Sequence, residues 1–213
     1  MKNLRRKAIL ILAFIFLIGS IEHTYPSQSF CSSTANYERI YNIQVSIGIF
    51  RFTHRLYVSV TPSLYEFYRS QNHRLTGYIA YQKFVTPEVV KPIAESIWHI
   101  IPNCSRSDEL FANAVLTLFQ QFRYAQSNVK YPIETIVNGS GDCDVFSVLA
   151  ASIMKAGGLD VILLYYKDAE VRHMNVGVYL SHIPAQCGLW SPPTYYEYKE
   201  KNTGCVNVHL KMD

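Results

Sequence analysis

Two side chains in this sequence have the types and spacing for covalent catalysis, Cys143 and, thirty residues on, His173. Cys143 follows the turn-forming run Asn138-Gly139-Ser140-Gly141-Asp142 and precedes an apolar stretch, Val145 to Met154, that Gly157-Gly158 closes. It therefore falls at the start of a helix. A thiol attacks as thiolate, and a helix N-terminus and a neighbouring imidazolium are two devices that make one near neutral pH. Such a couple takes an acyl group as a thioester and passes it to an amine or to water. The oxyanion needs the Cys143 backbone N–H and a second donor, for which Gln120, Gln121 and Trp98 are the candidates. Asp142 and Asp144 oppose thiolate formation. The expectation is that the imidazolium, the group able to touch sulfur, outweighs them. A metal reading is weak, because Cys143 and His173 give two ligands toward zinc's usual four. The sequence carries no cofactor signature, and acyl transfer through sulfur needs none.

The elements that must position this pair can be read around it. Val161 to Tyr166 is a run of strand formers, Lys167 to Arg172 a polar turn, and His173 to Val178 a returning strand. Upstream, Thr86-Pro87-Glu88 and Ser107-Asp108-Glu109 open two helices. The first carries Val90, Ile93, Ile97 and Ile100 to a stop at Pro102, and the second a wide apolar stripe from Leu110 to Phe122. Alternation at Ile43, Val45, Ile47 and Ile49 and again at Leu56, Val58 and Val60 predicts a strand pair, and Leu64 to Phe67-Tyr68 one or two helical turns.

Composition bounds the class of molecule. The 213 residues are 49% apolar and 17% charged, against a usual ~25% charged, which excludes a disordered or low-complexity chain. The net charge of +4 falls to zero when Lys2, Arg5, Arg6 and Lys7 are set aside (4 − 4 = 0), so no basic footprint for nucleic acid is left. Those four precede the apolar run Ala8 to Ile21, the pattern of a secretory signal or an uncleaved membrane anchor. The expected organisation is a signal or anchor at 1–22, a linker at 23–40, a β-rich N-terminal region at 41–85 and the main domain at 86–213. The expected location is membrane-anchored and extracytoplasmic, or secreted. Cys31, Cys104, Cys143, Cys187 and Cys205 make an odd set, suggesting pairs plus one free thiol.

In order along the chain, Tyr131-Pro132, Glu134-Thr135, Gly139 through Asp144, Ser147, Ala156 to Val161 and His173-Met174-Asn175-Val176-Gly177-Val178 resemble the core of the transglutaminase-like superfamily, its prokaryotic and archaeal branch above all. The resemblance covers Tyr131 to Leu180. It implies an α+β, papain-like fold with the Cys-bearing helix packed on an antiparallel sheet, and a Cys–His–Asp triad. Members include protein cross-linking enzymes, peptidases, amidases and forms that have lost catalysis. The function implied is cysteine acyl transfer or amide hydrolysis on protein or peptide substrates, or peptide binding by a fold that has lost turnover. The tail departs from the family's pattern where the third triad member should stand, and Glu197, Glu200, Asn207 and Asp213 are the residues found there.

Overall fold

A computed structural model of the protein describes residues 35–166, 173–180 and the strand 204–208. The expected signal or anchor, the expected turn Lys167 to Arg172, Cys31, Cys187, Glu197, Glu200 and Asp213 lie outside the described residues. The architecture is mixed, with helices and small antiparallel sheets. β1 (Tyr37–Ile47) and β2 (Phe50–Val60) pair along their whole length, Ile47 opposite Phe50, around a two-residue turn. Gly48 there has φ 58, the left-handed region that hairpin turns of this length demand. The expected alternation is present, except that Ile49 falls in the turn. The hairpin is not a body apart. Its buried Tyr41, Ile43, Val45, Leu56, Val58 and Val60 belong to one hydrophobic cluster with the helices, inside the compact unit Ala35–Asp213.

α1 (Pro62–Arg69) starts on Thr61, whose hydroxyl accepts the Leu64 N–H, and a 3₁₀ turn follows at Tyr78–Phe84. α2 (Pro87–Ile100) and α3 (Asp108–Phe119) begin where their capping residues predict, with the Ser107 hydroxyl accepting the Leu110 N–H. Thr86 caps nothing with its side chain. Its N–H instead donates to Ser152, tying the head of α2 to the later helix α5 (Cys143–Ala156). α5 is the hub of the core: Val145, Leu149, Ile153 and Met154 are buried in the main cluster, and Val148 joins Phe84, Val129 and Tyr131 in a smaller one.

α5 packs on a three-stranded antiparallel sheet of β5 (Val161–Tyr166), β6 (His173–Leu180) and β7 (Gly204–Val208), in that order, with β6 central. Val176, Val178 and Leu180 project from β6 into the main cluster. Among the described residues no helix is long and apolar enough to cross a membrane. Among the described residues Cys104 and Cys143 are free thiols, and Cys31, Cys187 and the side chain of Cys205 lie outside the described part.

The end of α5 is closely filled. A Cβ on Gly157 would lie 2.3 Å from the Phe111 ring, which stacks on Trp98 at 4.3 Å between centroids, and Trp98 Nε1 donates back to the Gly157 carbonyl at 2.9 Å. Gly157→Ala is therefore expected to cost about 1–3 kcal/mol through overpacking. A denaturation midpoint equal to that of the parent chain would contradict this packing.

Candidate active site

The loop that delivers Cys143 is held on three sides. α4 (Pro132–Asn138), where the sequence suggested only a lead-in to a turn, ends at Gly139 in the left-handed conformation, φ 61. Its start is fixed by Glu134, which accepts the Tyr131 N–H at 2.9 Å and pairs with His73 Nε2 at 2.7 Å. His73 Nδ1 bonds the Gln71 carbonyl, so both ring nitrogens of this half-buried histidine are committed. Next, β3 (Arg123–Tyr124) runs parallel to β4 (Ser140–Gly141), with Arg123 N–H on the Gly139 carbonyl and Ala125 N–H on the Gly141 carbonyl. A Cβ on Gly141 would lie 2.6 Å from Val145 Cγ1, so only glycine lets the strand pass this close to α5.

Cys143 is the first residue of α5, and its half-buried side chain meets β6. The sulfur accepts the backbone N–H of Met174, the residue next to His173, and that of Asp144. Ser147, one turn on, aims its hydroxyl at two carbonyls, Cys143 at 2.7 Å and Met174 at 2.9 Å. Both polar groups of the Met174 backbone are thus taken up by the first turns of α5. This is the stretch of β6 that β7, paired with Val176 to Leu180, does not cover. The His173 ring lies against Tyr166, its cross-strand partner, with centroids 6.2 Å apart. No hydrogen bond joins the ring to the sulfur among the described residues. The structure brings the two residues to one corner of the molecule, with the thiol resting on the neighbouring peptide group.

The electrostatics differ from expectation. Burial pushes the Cys143 thiol up, the charges of Asp144 and Asp142 push it further, and the Met174 and Asp144 N–H groups only partly offset them. The balance of these effects favours the neutral thiol over the thiolate. The expected dominance of an imidazolium does not hold: His173 is not among the influences on the sulfur, and burial is the largest of them. Asp142, at the cap position, accepts the Ser127 N–H in place of a helix N–H. Asp144 accepts from the Tyr81 hydroxyl at 2.7 Å and the Val145 N–H at 2.8 Å. Burial and a hydrogen bond shared with Asp142 push the Asp144 carboxyl up to about 6.

The second oxyanion donor is also not where the sequence put it. Trp98 is bonded at the far end of α5, about 20 Å from Cys143 at 1.5 Å per residue. The Gln121 amide is spent on the Asn42 backbone and the Thr117 carbonyl, and Gln120 stands exposed at the end of α3. Tyr124, which is none of the three, stands beside the Cys143 N–H instead. Its ring packs edge-on to Phe146, and its hydroxyl accepts the Cys143 N–H. The two-residue bridge that places it is too short for any periodicity to betray. Asn207 stands opposite Gly177, about 13 Å along the strand from His173. Asn175 is nearer, two residues from His173 and so on the same face of β6. It is 2% exposed, and neither atom of its amide has a hydrogen-bond partner among the described residues.

No protein-family model matches the chain, and no curated protein matches it.

The Asp144 charge opposes ionisation of Cys143 above about pH 6 and vanishes below it, because protonation makes the group neutral. Asp144→Asn is therefore expected to speed modification of Cys143 by a methanethiosulfonate severalfold at pH 8, with the ratio to the parent rate approaching one at pH 5. A ratio independent of pH would contradict the assignment.

Proposed function

We propose that the protein is an exported or membrane-tethered, transglutaminase-like cysteine acyltransferase or amidohydrolase that acts on protein or peptide amides. The observation that carries this reading is the seat of the Cys143 sulfur, at a helix start and hydrogen-bonded to the residue beside His173. A free, half-buried thiol held by designed polar contacts is more than a small core hydrophobe.

Because the resting thiol is neutral, the proton leaves as the sulfur attacks. The His173 ring takes the Sγ proton as sulfur bonds the amide carbon, and the carbonyl electrons move to oxygen. The Cys143 N–H and the Tyr124 O–H, turned from accepting to donating, hold that oxyanion. Collapse restores the carbonyl and expels the amine, which takes its proton from the imidazolium and leaves a thioester. Water or a second amine then attacks the thioester with His173 again as base, and collapse breaks the C–S bond as the sulfur takes its proton back from the imidazolium. This sequence requires the ring to leave Tyr166 for the sulfur. The Asn175 amide, two residues along, is the positioning group that holds it there, in the role the resemblance gives to a carboxylate.

A second reading, a peptide-binding domain of the same fold without turnover, has one observation in its favour: the thiol is pushed up and not down. Ammonia release from glutamine-containing peptides separates the two. The enzymatic reading expects turnover by the parent chain and none by Cys143→Ser. It also expects a loss of about 10²–10³ in kcat for Tyr124→Phe, the usual scale for one oxyanion donor. Asn175→Ala is expected to lower kcat with KM little changed. Peptide binding without turnover by the parent would favour the second reading.

A further inference from the structure

We propose that the tip of the β1–β2 hairpin is a membrane-docking wedge for anionic lipid surfaces, an inference that stands apart from the chemistry at Cys143. The core-facing side of the hairpin is apolar except at Arg39 and His54, but the core beneath it ends early. Tyr41, Ile43 and Val45 on β1 and Leu56, Val58 and Val60 on β2 are buried. Beyond the Val45–Phe52 pair the same face runs on uncovered. Phe52 is 47% exposed, Phe50 64%, and Ile49 in the turn 93%. The Phe50 and Phe52 rings lie 6.5 Å apart and form one apolar edge with the half-buried Ile47. Alternation puts Arg51 and Arg55 on the opposite face, both exposed and without an ion-pair partner among the described residues. From Arg39 to Tyr65 the sequence contains no aspartate or glutamate.

Size argues for a lipid occupant over a protein one. Each partner of a standard protein interface buries about 800 Å². Two phenylalanines and two isoleucines at a two-residue turn offer on the order of 500 Å², at ~150–250 Å² for each aromatic ring. A bilayer interface needs no complementary surface. It takes an apolar edge into the acyl boundary and gains from neighbouring basic groups through anionic headgroups. Fifteen residues, 22–36, separate the apolar segment ending at Ile21 from the start of β1, a tether of at most about 50 Å. A segment held in a bilayer therefore keeps the hairpin within reach of the same surface.

The test places a probe at the tip of the full-length chain, so that binding through the N-terminal segment is not mistaken for insertion of the hairpin. Phe50→Trp is compared with the parent, whose own two tryptophans supply the background, on vesicles of phosphatidylcholine with and without phosphatidylglycerol. The expected result is a blue shift of the added emission, and its quenching by brominated acyl chains, on the anionic vesicles. Both should be lost when Arg51→Glu and Arg55→Glu are added. Three results would overturn the proposal. One is emission unchanged on vesicles that carry the protein down. Another is an equal response on phosphatidylcholine alone. The third is a blue shift without vesicles that grows with protein concentration, which would assign the tip to a second copy of the chain.

Discussion

The first turns of α5 hold both polar groups of a β6 peptide that no described strand pairs. Among the described residues β7 pairs with β6 only from Val176 onward, which leaves the Met174 N–H and carbonyl to partners outside the sheet. The sulfur of Cys143 takes the N–H, and the Ser147 hydroxyl takes the carbonyl. Unpaired backbone groups in such a half-buried place are costly, so helix and strand hold each other. The consequence is chemical. Residues thirty apart in the chain reach one corner, and the rest of the fold serves to keep them there. The His73–Glu134 pair fixes the start of α4, the β3–β4 bridge aims the loop, and Gly141 lets it pass close to Val145.

That arrangement trades thiolate stability for position. A helix N-terminus favours the anion, yet burial and two adjacent carboxylates together outweigh it. The Asp144 carboxyl feels the same crowding, holding its proton to about pH 6 while its oxygens accept from Tyr81 and Val145. Proton transfer concerted with attack is the chemistry consistent with a neutral resting thiol, in the manner of a hydroxyl nucleophile served by an imidazole. In the proposed reaction it also gives weight to Tyr124. With no stored thiolate, stabilisation of the oxyanion must do more of the work.

Much of this was legible in the sequence where the signal is local. Ser107 and Pro87 announced their helices, Gly157-Gly158 ended α5, and the alternation around Ile43 and Val58 gave the hairpin. Cys143 could be placed at a helix start from its flanking glycines and apolar run. Contacts between distant segments were not legible. Tyr124 stands beside Cys143 because of a two-residue parallel bridge. The pairing of His73 with Glu134 spans 61 positions with no pattern in between. The direction of the thiol's shift was not legible, because burial of the sulfur, the largest of its causes, leaves no local pattern in the sequence. α4 was hidden by the turn residues at its end, its seven-residue length being too short for a periodicity.

The central claim is that the Cys143 sulfur becomes an acyl carrier through the His173 imidazole. Mass spectrometry of the chain after brief exposure to an activated acyl ester tests it directly. The account predicts a hydroxylamine-sensitive acyl adduct on the peptide containing Cys143, formed many times more slowly in His173→Ala. An unmodified Cys143, or an adduct that forms equally fast without the imidazole, would contradict it.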